Sequence, residues 1–142
     1  WLGKTFRRIP RPDVSGLPQA LANHARFAAI QLQRQAAEIS AMMRKHQLKL
    51  ADRQCRMSEL SSRVQKLVVI LATSLYAARL ENPLLQAAAD LVCHDLTREL
   101  SGRRPDDRYF RQVTRLGELL VEGGLDAFGV SPPDEILMRY EP

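Results

Sequence analysis

From Gln19 to Asn82 the chain runs without a single glycine or proline. Apolar residues recur through this stretch at intervals of three and four, the spacing of one buried helical stripe. One unbroken helix of that length would reach roughly 95 Å at 1.5 Å per residue. An uncapped pattern so long would mean a coiled coil. The stretch is therefore expected to fold back on itself, with a break between His46 and Asp52 and with Asp52 as the new N-cap. A second constraint is Leu67–Arg79, LVVILATSLYAAR. Leu67, Val68, Val69, Ile70, Leu71 and Ala72 leave the second helix apolar on every side, so it needs helices or lipid all round. The apolar run reaches only about 12 residues, short of the roughly 20 that a membrane span needs. It predicts a central rod wrapped by neighbouring helices from Leu67 to Ala78.

The remaining elements follow from caps and stripes. Pro10 and Pro12 block helix in a basic leading segment, residues 1–16, read as a strap on a neighbouring domain. An interfacial reading, with Leu2, Phe6 and Ile9 among cations, is the other possibility for it. Helix one starts near Leu17, with Ser15 as cap and Pro18 in the first turn. Its stripe is Leu17, Leu21, Ala25, Ala28, Leu32, Ala36, Ile39 and Met43, widened by Phe27, Ile30 and Met42. Helix two runs from about Asp52 to Leu80, with Met57, Leu60 and Val64 facing in. Asn82-Pro83 opens helix three, whose stripe is Leu84, Ala88, Leu91, Val92 and Leu96 and which Gly102 ends. Asp106 or Asp107 caps helix four, expected to bury Phe110, Val113, Leu116 and Leu120 before Gly123-Gly124. No alternation of β-formers predicts a sheet. The expected fold is all-α: an up-and-down bundle of about four helices, the two long ones first. The bundle spans residues 17–128, and residues 129–142 form a tail with a short helix from Ser131.

Charge is uneven. The net charge is +5, with Lys4, Arg7, Arg8 and Arg11 crowding the start and Arg44, Lys45, Lys49, Arg53 and Arg56 a second place. From Pro105 onward the chain is acidic overall. A basic end suits an anionic membrane or an acidic partner, and Lys4, Arg7, Arg8, Arg11, Arg44, Lys45 and Lys49 are the candidate contacts. Nucleic acid is disfavoured, because a reader of DNA needs a short recognition helix beside a tight turn. Cys55 and Cys93 read as free thiols of a reducing compartment, either cytoplasmic or at an inner membrane. Catalysis has no foothold. His24, His46 and His94 are scattered, and Cys93-His94-Asp95 points in three directions because neighbours on a helix diverge by about 100°. Glu118 and Glu122 read as a solvated face, and Gly123-Gly124 lacks the Lys-Ser/Thr of a phosphate loop. No catalytic, cofactor-binding or metal residue is assigned.

The segment Arg44–Arg79, RKHQLKLADRQCRMSELSSRVQKLVVILATSLYAAR, resembles the extra C-terminal helical domain of very-long-chain and complex-I-assembly-like acyl-CoA dehydrogenases. The Lys45-His46 pair closing a helix, the aliphatic run of the next and its Ala78-Arg79 end carry the likeness. Leu116–Phe128, LGELLVEGGLDAF, is similar to that family's closing helix and its Glu-Gly-Gly ending. The family's usual glycine between the two long helices is missing here. The resemblance implies a non-catalytic appendage of an FAD-dependent enzyme of fatty-acid oxidation. Its catalytic glutamate and flavin contacts belong to preceding domains, so no residue here takes those roles. The implied partners are the preceding catalytic domain, a second copy of the parent, and a membrane. Trp1 in place of Met fits a segment cut from such a chain. The alternative is a free-standing helical scaffold whose basic end binds an acidic partner or nucleic acid.

Overall fold

A computed structural model describes residues 13–46, 54–122 and 124–129. Its elements are α1 (Gln19–His46), α2 (Gln54–Ala77), α3 (Pro83–Ser101) and α4 (Asp107–Val121), then a 3-10 turn over Gly124–Phe128. The all-α, up-and-down arrangement expected from the sequence is present, and no described residue lies in a strand. α1 and α2 run antiparallel, because Leu21 meets Ala77 at one level while Ala28 meets Ile70 two turns on. α3 lies against both and parallel to α1: Ala89 sits with Leu21, and Cys93 with Ala28. α4 reverses again and packs on α3, with the 3-10 turn touching both.

Small side chains set the core. α1 presents Leu21, Ala22, Ala25 and Ala28, all buried, and alanines let the facing helices approach closely. α2 answers with Leu60, Leu67, Ile70, Ser74 and Ala77. Val14, in the turn before α1, closes the top of the core over Ala22 and Ala25, with Leu17 and Leu71 packed alongside. Lys66 Nζ bridges to Glu99 Oε2 at 2.7 Å, tying α2 to α3 at the surface.

The caps explain where helices begin and end. Asn82 accepts hydrogen bonds from the amides of Leu84 and Leu85, with Pro83 at the first turn. Gly102 closes α3 at φ 64°, a left-handed value that side chains with a Cβ resist. Asp106, not Asp107, caps α4 through the Tyr109 amide. Ser15 does not cap α1. Its hydroxyl and amide both go to Asp13 Oδ1, and the Pro18 carbonyl takes the first helical bond, from Ala22. α1 is described to His46 and α2 from Gln54, and because the two are antiparallel the chain turns back between them, as the length argument required. The proposed Asp52 cap, the leading strap up to residue 12 and the tail helix lie outside the described residues.

Expectations about burial fail on all four helices. The rod is not wrapped: Val68, Val69, Ala72, Leu75 and Tyr76 are exposed, because among the described helices only α1 and α3 pack on α2 and they leave its outer side uncovered. On α3, Ala89 and Cys93 face the core and Val92 is exposed, so its buried stripe lies rotated from the expected one. On α4 nothing is buried: Leu116 and Leu120 are half-covered, while Phe110 and Val113 face solvent. Likewise Met43 and Ala36 of α1 are exposed, and Met42 takes the inward place near the end of that helix. Among the described elements, each helix shows more apolar surface than its neighbours cover.

Candidate functional site

Among the described residues, the outer face of α2 leaves a run of apolar side chains bare. Gln65, Val68, Val69, Ala72, Leu75, Tyr76 and Arg79 recur on one side of the helix, opposite the buried Leu67, Ile70, Ser74 and Ala77. The face changes character along its length. Ser58, Ser61, Ser62 and Gln65 make its first half polar, and the aliphatic residues with Tyr76 (67% exposed) make its second half apolar. Polarity is inverted across this helix, for Ser74 sits fully inside while valines sit outside. Ser74 is tolerated there because its hydroxyl donates to the Leu71 carbonyl at 3.0 Å. Contiguous exposed apolar surface of this kind marks a contact with another body.

The basic candidates are placed only in part. Arg44 and Lys45 stand exposed in the last turn of α1, where they also oppose the negative end of the helix dipole. Lys4, Arg7, Arg8, Arg11 and Lys49 lie outside the described residues. Arg44 and Lys45 do not adjoin the apolar face of α2. By the register of the two helices they sit near Gln54, at the far end of the hairpin. Sequence reasoning also passed over a third basic group. Arg108, Arg111 and Arg115 are exposed on the polar side of α4, so the start of the region read as acidic presents cations to solvent. Their spacing of three and four was the available signal.

Several polar groups at the helix seams are engaged in structure, whereas Gln35 Oε1, Thr97 Oγ1 and Gln112 Oε1 lie buried with no hydrogen-bond partner among the described residues. His24 Nε2 lies 2.9 Å from Asp90 Oδ1, a half-buried link between α1 and α3. The Cys93 thiol is fully buried and directed at the Ile70 carbonyl, 3.6 Å away. Burial, with the nearby Asp90 charge, pushes it up to about 11, which leaves it protonated and unreactive at neutral pH. The α3–α4 seam is stapled by Tyr109. Its ring meets His94 edge-on at 5.7 Å, the Arg98 guanidinium lies 5.6 Å from its centre, and its hydroxyl donates to Asp95 Oδ1 at 3.3 Å. Arg98 also binds Asp95 Oδ1 at 2.6 Å, and that bond holds the Asp95 carboxyl below the usual aspartate range. Among the described residues, no three His, Cys, Asp or Glu side chains gather as a metal-binding group. An open depression of about 640 Å³ beside Asp13–Leu17 and Arg26 is lined by Asp13 and Ser15, which bond to each other.

No described helix is long and apolar enough to cross a membrane. The chain matches no protein-family model, no curated protein and no solved structure. The candidate site therefore rests on geometry: an uncovered apolar face on the central helix, a cationic tip, and seams whose polar groups hold helices together.

Proposed function

We propose that this chain is the non-catalytic C-terminal helical domain of a flavin-dependent acyl-CoA dehydrogenase of fatty-acid oxidation. It supports packing of the parent dimer and holds a membrane or partner surface. The observation that carries the reading is the bare outer face of α2 at Val68, Val69, Ala72, Leu75 and Tyr76, a surface suited to rest on a preceding domain. The likeness of Arg44–Arg79 and Leu116–Phe128 to the family's extra domain supports it. The parent would take hydrogens from Cα and Cβ of a fatty acyl thioester, with FAD as acceptor. Flavin and catalytic base would both sit in the preceding domains, and no residue of this chain is assigned to either. Exposed Arg44 and Lys45 would meet the anionic surface.

The test is the whole reading frame. The expected product carries roughly 400 residues before this segment, in keeping with ordinary domain sizes, and purifies with a flavin absorbance band. Within it, Val69→Asp with Leu75→Asp should loosen the appendage, read as faster amide exchange along α2 with the flavin retained. A frame with no such upstream part, or a product without flavin, sinks the reading. It would leave the chain as a free helical scaffold, for which the exposed Arg44 and Lys45 would be the docking point for an acidic partner.

A further inference from the structure

We infer that α4 is a homodimerisation helix, pairing antiparallel with α4 of a second copy of this chain. The inference does not rest on the proposed parent enzyme. Three observations point the same way. Phe110 (54% exposed), Val113, Gly117 and Val121 (88% exposed) line one side of α4, next to the half-covered stripe of Tyr109, Gln112, Leu116 and Leu120. The stripe of apolar residues is thus wider than α3 covers.

Gly117 is the second observation. It lies inside a helix, where glycine is unfavourable relative to alanine, and a Cβ added there would meet nothing within 4 Å. Packing among the described residues gives no reason for a glycine. Close approach of another helix does.

The third is charge. Arg111 and Glu118 are exposed and two turns apart, so they share one edge of the apolar face. Neither takes an ion-pair partner among the described residues. A two-fold axis between Thr114 and Arg115 sets Arg111 of each copy opposite Glu118 of the other, giving two equivalent pairs, as an isologous interface requires. The same axis brings Val113 of one copy to within about 1.5 Å of the axial height of Gly117 in the other. Asp107 and Glu122 oppose each other in this register, but at the exposed helix ends, where screening is strongest. A single helix pair buries less than a standard interface, so the dimer is weak, in the micromolar range.

Sedimentation of the full chain over a concentration series tests this. A reversible dimer is expected. R111E or E118R alone sets like charges together at both symmetry-related contacts and should weaken it by about tenfold or more. The R111E/E118R double variant should recover most of the loss, and an equimolar mixture of the two single variants should associate as a heterodimer. G117A should raise the melting temperature of the monomer and weaken the dimer, separating packing across the axis from folding. Overturning results are a monomer at every concentration, including one in which residues 130–142 cover the face, or a dimer that ignores the charge swaps and so uses the α2 face.

Discussion

Asp95 shows how much one side chain holds at the edge of this fold. It receives Arg98 from one turn on and Tyr109 from the next helix, and the Arg98 bond is the main reason its carboxyl titrates low. An unfolded aspartate binds a proton at a higher pH than this one does. The link therefore contributes in full above the ordinary aspartate range and is lost as pH falls through that range and then through the lower folded value. Thermal melts should show the native chain losing more stability on acidification than Asp95→Asn does, with equal slopes near neutrality. None of this was legible in the sequence. Asp95 stood there as part of Cys93-His94-Asp95, a triplet suggestive in print whose members go to different neighbours: Cys93 to the Ile70 carbonyl, His94 to the Tyr109 ring, Asp95 to Arg98. The pairing of Tyr109 with α3 depends on how α4 docks, and that is a tertiary fact.

At the level of elements the sequence spoke most clearly where a terminus has its own chemistry. Asn82-Pro83, Gly102 and Asp106 are local signals, and the helices obey them. Asn82→Ala should lower stability by about 1 kcal/mol in urea melts, because two amides of α3 lose their acceptor. The faces were read less well. Periodicity tells that a helix has an apolar stripe, yet the neighbours decide which part of a broad stripe is covered. Phe110 and Val113 lie on α4's stripe and stay exposed, since α3 takes the adjoining Tyr109, Leu116 side. Val92 lost its place to Ala89 and Cys93, whose small side chains let α3 settle against α1 and α2. Ser15 was misread for a different reason: its hydroxyl and amide donate to Asp13, two residues earlier, and α1 begins only at Gln19, four residues on.

For the molecule as a whole, the two sides of α2 should answer mutation differently. Ile70→Ala empties a fully buried site and should cost about 2–5 kcal/mol by chemical denaturation. Tyr76→Ser on the bare side should change the same measurement by less than about 0.5 kcal/mol. A large loss from Tyr76→Ser would mean that the outer face is covered within the chain. The register of the helices carries one further consequence. Among the described helices, α3 accompanies α1 only to about the level of Ala36, so over the last 15 Å or so of α1 the opening turns of α2 are its one described helical neighbour. Few buried side chains join the two there, Met42 and Leu60 among them, with Glu38 and Arg56 bridging at the rim. Among the described helices, a load applied at Arg44 and Lys45 is therefore borne first by the α1–α2 seam, and α3 shares it only from about Ala36 inward.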